Sequence, residues 1–205
     1  MKKIVLIIFL LLPCFGFSQK IKDSLLLSDK EKIKEKLDLM FYLDRCSTEY
    51  WKKTKEERIK SDKAFSFFYS DTILKNNPTS LNIKEYLGLF SPLNWKGFME
   101  AVYEKNISEY IVMTEKYGYL SYDRMDVNIN NTDRTNAVIV FVMRSKSHDK
   151  IIKKLIKQEK KIGNMPQRDY DYYKFVLERK SVITKKDIEK LKRKDIELNI
   201  SKTPL

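Results

Sequence analysis

Glycine is scarce: five in 205 residues leave little room for the many tight turns of a β-rich fold. Histidine is scarcer. His148 stands alone, and with Cys14 and Cys46 it falls short of the nitrogen and sulfur ligands a transition-metal cage needs. No P-loop, GxGxxG or GxSxG pattern occurs, so the usual phosphate-cradle and nucleophile-elbow signatures are missing. No apolar run reaches the roughly 20 residues that span a bilayer. Internal repeats and Gly/Ser linkers are absent too.

What is there begins with an address. Lys2 and Lys3 precede the unbroken apolar run Ile4–Leu12, and Gly16 and Ser18 are small residues placed at −3 and −1 of a cut before Gln19. The pattern predicts a signal peptide over residues 1–18 and a periplasmic or secreted protein. A retained anchor is one alternative. A lipoprotein built on Cys14 is another, disfavoured by Pro13 before the cysteine. After the cut one cysteine remains, so no internal disulfide can form and the fold must rest on packing. Cys46 lies in a helical pattern between Tyr42 and Tyr50 and reads as a small buried hydrophobe.

Charge is uneven. From Gln19 to Met143, 20 Lys/Arg face 19 Asp/Glu; from Arg144 to Leu205, 19 face 9. The basic third would be drawn to anionic surfaces. Most of its cations are lysines, poor at bidentate phosphate recognition, so specific nucleic-acid binding is not expected. A solvated helical surface is the plainer reading of the same residues.

The periodicity is helical almost throughout. Gln19–Leu27 reads as a flexible lead. Ser28–Glu31 has capping-box form and opens a helix reaching about Ile59, with Ile33, Leu37, Met40 and Phe41 on one face. Ala64–Pro78 is ambiguous between strand and helix. Short helices follow from Ser80 and from Ser91–Pro92, the second ending at Asn106; a further one ends at Gly118, a left-handed stop. The Asn/Asp-rich stretch after Tyr119 leaves room for a short β-hairpin near residues 119–128. Val138–Val142 is β-branched and favours a strand by propensity, yet a strand needs partners that the chain hardly offers. Asp133 is placed as a helix cap, so Asp133–Arg144 is read as a central helix. Ser147 then caps a helix that stops at Gly163, Gln167–Lys180 forms another, and Thr184–Asp187 is a second box before Ile188 and Leu191. The expectation is an all-α fold, mainly a helical bundle, in a single domain over 28–198 with a frayed tail at 199–205.

The order of "EKYGYLSYDR" (Glu115–Arg124), an apolar segment and "KIIKKLIKQEKKIGNMPQRDYDYYKFVLERK" (Lys150–Lys180) resembles an uncharacterised, mostly helical bacterial family. Its members carry a Lys-Tyr-Gly-aromatic-Pro turn, an apolar helix ending in a Gln-His pair, and a last helix ending near Asp-Arg. "LDLMFYLDR" (Leu37–Arg45) is similar to the family's early Met and Asp-Gln signature. Here Leu120 replaces the turn proline, Arg45 the glutamine, and Met143 and Arg144 stand at the Gln-His position, with His148 four residues later. The family's closing Tyr-Gly-Ser/Thr-Gln signature is absent. The resemblance implies a helical domain and brings no activity with it.

Chemistry is thinly supported. Ser147, His148 and Asp149 are adjacent, whereas triad members converge from separate elements. Asp126–Asp133 lacks the glycine and the closing glutamate of an EF-hand. Glu115, Asp123, Asp126, Asp133, Asp169 and Asp171 could serve a carboxylate-based hydrolase, which needs two acids across a cleft, but nothing in the sequence fixes a pair. Arg168–Tyr173 could line a stacking groove. The reading adopted is a non-catalytic binding or interaction protein. Its rivals are that hydrolase and a binder of anionic surfaces or polymers using Lys153, Lys154, Lys157, Lys160, Lys161 and Arg168, with the lysines after Thr184. No catalytic residue, cofactor or metal is assigned. The partner is open between anionic envelope components and another protein.

Overall fold

The structure is a computed structural model that describes residues 19–65, 72–88, 94–121, 124, 138–194 and 196. Every regular element among them is a helix, and no strand occurs. In chain order these are α1 (residues 19–28), α2 (Lys30–Lys52), α3 (Lys55–Lys63), α4 (Ile83–Leu87), α5 (Trp95–Tyr117), α6 (Ile139–Arg144), α7 (Asp149–Lys161), α8 (Gln167–Val176) and α9 (Lys185–Lys192). The expected all-α class is the observed one. The signal segment 1–18, the tail at 199–205, the Asp133 cap and residues 122, 123 and 125–128 of the expected hairpin lie outside the described residues; Tyr119, Leu120 and Ser121 form no strand, and Arg124 is helical.

The chain divides into two compact units, Leu26–Tyr110 and the remainder. In the first, α2 buries Ile33, Leu37, Met40 and Leu43, a helical period. Leu39, Leu43, Tyr50, Phe65, Ile73, Trp95, Phe98 and Val102 form one apolar cluster. Tyr50 stacks on Trp95 at 5.2 Å between centroids, and Phe65 meets Trp95 edge-on at 5.1 Å. In the second unit α8 packs against α7 and α6, and Val138, Ile139, Phe141 and Val142 are buried. Their β-branched run is helical from Ile139 to Arg144. Propensity favoured a strand, but a strand needs pairing partners, and none occurs among the described residues.

Several boundaries differ from expectation. The lead at 19–27 is helical, with Lys22 and Asp23 in ion pairs to Glu159 and Arg124. Ser28 consequently lies inside α1, and α2 follows Asp29 without a side-chain cap. The helix beginning there does not reach Ile59. It stops at Lys52, and a full capping box of Thr54 and Glu57 starts α3. Asn82, not Ser80, caps α4. Asn94 Oδ1 accepts from the Gly97 amide at the start of α5. Asn106 does not end α5; it is buried, accepts from Tyr86 Oη at 2.9 Å and donates to the Met40 carbonyl at 3.1 Å. Satisfied by tertiary partners, it loses its preference for a helix end. Other expectations hold. Gly118 and Gly163 have φ +79° and +85°, and the Thr184–Asp187 box is complete.

Candidate functional site

α7 is the most strongly two-faced element. Ile152, Leu155, Ile156 and Glu159 recur at i, i+3, i+4 and i+7 and are buried. Burying each of the three aliphatic side chains contributes about 1.5–3 kcal/mol, which fixes the helix's rotation. The opposite face is thereby turned to solvent. It presents Lys150, Lys153, Lys154, Lys157 and Lys161 exposed, with Lys160 half-buried.

Both acids of α7 are committed elsewhere. Asp149, in the first turn, holds Arg179: Nε donates to Oδ2 at 3.0 Å and Nη2 to Oδ1 at 2.5 Å. Nη2 also reaches the carbonyls of Val142 at 2.8 Å and Ser145 at 2.5 Å, and Nη1 that of Met143 at 3.1 Å. One guanidinium thus satisfies the carbonyls at the C-terminal end of α6 and the acid that opens α7. A cation there also complements the negative end of a helix. Glu159 points inward, its side chain 1% exposed. It accepts from Lys22 Nζ at 3.2 Å, the Tyr119 amide at 2.9 Å and Asn164 Nδ2 at 2.7 Å. A buried carboxylate needs such a complete set of donors. Arg124 completes the turn by donating to the carbonyls of Tyr117 and Tyr119. The outward face of α7 is left with lysines and no carboxylate.

The other basic residues are arranged differently. Arg168 is exposed but belongs to the first turn of α8. Beyond Thr184, α9 mixes its lysines with Asp187 and Glu189. Lys194 pairs with Asp171 at 3.0 Å, and Lys180 with Asp187 and Glu178. Burial pushes the Asp171 carboxyl up, but hydrogen bonds from Gln167 and Lys194 outweigh it and the net displacement is downward. Of the predicted cations the structure brings Lys153, Lys154, Lys157, Lys160 and Lys161 together on α7 and leaves Arg168 and the later lysines apart. Sequence reasoning missed Lys150, one turn before Lys154 on the same face and recognisable by that spacing.

The acids expected of a hydrolase are dispersed. Glu115 is exposed on α5. Asp169 accepts from Tyr119 Oη at 2.8 Å and Asp171 is tied to Lys194; Asp123, Asp126 and Asp133 lie outside the described residues. An open depression of about 410 Å³ in the first unit is lined by Leu74, Asn77, Ser80, Leu81, Asn82 and Lys84 among others, without a carboxylate. Among the described residues no group of three His, Cys, Asp or Glu is placed to hold a metal. His148 Nδ1 lies 2.7 Å from Ser147 Oγ, its sequence neighbour, at the surface. Ser147 does not cap α7: the helix begins after His148, without a side-chain cap. The Arg168–Tyr173 segment forms no stacking groove from Tyr173, which is fully buried and meets Tyr119 edge-on at 6.0 Å. Cys46 is half-buried against the first unit's core, and burial pushes its thiol up.

No family model, curated protein or solved structure matches this chain.

Proposed function

We propose that this chain is an exported, non-catalytic binding protein that engages anionic partners through the outward face of α7. One observation carries the reading: five exposed lysines share that face, while Asp149 is held by Arg179 and Glu159 lies on the buried face, paired with Lys22. Ammonium groups one helical turn apart, without interleaved acids, form a positive strip whose field is not cancelled locally. Lysine supplies point charges on flexible stems and not the rigid fork of arginine. Such a strip suits a partner of high charge density and loose geometry. Export is supported by the Lys2–Lys3, Ile4–Leu12 and Gly16–Ser18 pattern.

Retention of the full chain on a sulfated or phosphorylated matrix tests the reading. Replacing Lys150, Lys154, Lys157 and Lys161 with glutamine should move elution to clearly lower salt. The same replacement at Lys185, Lys186, Lys190 and Lys192 of α9 should move it less. Equal shifts for the two sets would mean that net charge alone acts, and the reading would fail. N-terminal sequencing of the protein recovered outside the cytoplasm should begin at Gln19.

A further inference from the structure

The corner between α6 and α7 carries a second property that salt attraction does not explain. Met143, the penultimate residue of α6, is 43% exposed, and Ile151 in the first turn of α7 is 47% exposed. They flank a connection containing exposed Lys146, and Ile151 has exposed Lys154 as its neighbour at i+3 on the helix surface. The corner is not free to turn these side chains inward. Arg179 grips it through the carbonyls of Val142, Met143 and Ser145 and the carboxylate of Asp149. The opposite face of α7 is already filled by Ile152, Leu155 and Ile156.

We propose that this corner docks on the surface of an anionic lipid bilayer. The α7 lysines lie against the headgroups, and Met143 and Ile151 enter the boundary between headgroups and acyl chains. The inference rests on the reading of α7 as an anion-binding face and goes further by naming the partner. A soluble polyanion would reward the lysines but leave the two apolar side chains in water. A bilayer rewards both, because interfacial binding combines buried apolar area with attraction to anionic lipid. The lysines set which membrane is chosen, and the apolar pair makes part of the binding insensitive to salt.

The test is co-sedimentation of the full chain with vesicles of phosphatidylglycerol and phosphatidylcholine, against vesicles of phosphatidylcholine alone. Comparing variants within the same chain separates the corner from any contribution of Lys2, Lys3 and the apolar run Ile4–Leu12. Binding should be much stronger to the phosphatidylglycerol vesicles. It should fall about five-fold for each lysine changed to glutamine among Lys150, Lys154 and Lys157. The pair Met143→Gln and Ile151→Gln should remove the part that survives high salt. Glutamine keeps helix propensity, and circular dichroism confirms the fold. Independently, Ile151→Trp should add emission that shifts to the blue with phosphatidylglycerol vesicles. Retention on the charged matrix without any preference for phosphatidylglycerol vesicles would overturn the dock and leave the anion-binding reading standing. Loss of both would overturn both. Vesicle binding unchanged by the Met143 and Ile151 pair, with no shift for Ile151→Trp, would also overturn the dock.

Discussion

Arg179 and Asp149 lie 30 residues apart in sequence, and their side chains meet in a two-point ion pair that ties the end of α6 to the start of α7. Arg179 adopts φ +52°, left-handed for a residue with a Cβ, and that conformation coincides with its bonds to Asp149 and three carbonyls. Arg179→Ala removes charge-assisted bonds worth about 1.5–3 kcal/mol each when isolated and leaves their acceptors under-satisfied. A net loss of about 3 kcal/mol is expected. Thermal unfolding should show a midpoint lower by about 6 °C or more. Arg179→Lys should recover little of this, because an ammonium cannot occupy all these positions at once. Full recovery with lysine would show that charge alone matters.

Glu159 should behave as a residue whose removal strands its neighbours. Glu159→Ala leaves the buried Tyr119 amide and Lys22 without their acceptor, and a loss of about 3–5 kcal/mol is expected from breaking such a pair. Combining it with Lys22→Met should cost less than the sum of the single changes, a coupling of about 1 kcal/mol measurable by urea unfolding. Strict additivity would mean that the ion pair at 3.2 Å contributes nothing.

Two glycines offer a controlled comparison. A Cβ on Gly118 would meet Asn164 Nδ2 at 2.9 Å and Arg124 Nη1 and Glu159 Oε2 at 3.1 Å; one on Gly163 would meet nothing within 4 Å. Both have left-handed φ, so alanine costs each about 1–2 kcal/mol from backbone conformation. Gly118→Ala should cost at least about 1 kcal/mol more, since three polar groups of a satisfied network must also shift. Equal chemical-denaturation midpoints for the two variants would refute the crowding argument.

In the first unit, Glu109 predicts an acid-side loss of stability. Burial pushes its carboxyl up, but hydrogen bonds from Lys105 and Lys36 outweigh that, and the net shift is below its ordinary 4.5. A value lower in the folded than in the unfolded chain means stability that is present above the unfolded value and lost as pH falls through the folded one. The urea midpoint should therefore drop between about pH 5.5 and pH 3, and less steeply in Glu109→Gln. An unchanged slope would exclude the contribution.

Cys46 should be slow to alkylate. Burial raises its thiol and so lowers the thiolate fraction that reacts. At neutral pH, peptide-resolved labelling with iodoacetamide should run at least about ten-fold slower than for a free thiol and recover in denaturant. Rapid labelling of the native chain would overturn this.

The fold class was legible because helical spacing, scarce glycine and local stop signals agree. Gly118, Gly163 and the Thr184–Asp187 box act within a few residues of themselves, and each appears where its chemistry implies. Thr54 and Glu57 form an equally local signal; the long periodic run around them masked it. Asn106 was misread for a different reason. Its partners, Tyr86 and Met40, are brought to it by folding, so no local rule could place it inside a helix. The same holds for the candidate site. The lysine spacing of α7 and the inward place of Glu159, seven residues after Ile152, can be read from the chain, but the capture of Asp149 by Arg179, 30 residues away, cannot.

α3 has no buried residue. Its terminal box, the bond from Tyr50 Oη to Asp62 at 2.9 Å, the bond from Lys53 Nζ to Ser61 Oγ at 2.7 Å and the Arg58 guanidinium 5.6 Å from the Trp51 ring are among its attachments. Its exposed positions, Lys55, Glu56, Ile59, Lys60 and Lys63, hold nothing in the apolar interior, so a reporter side chain can be placed at any of them while Asp62 keeps the hydroxyl of the core residue Tyr50.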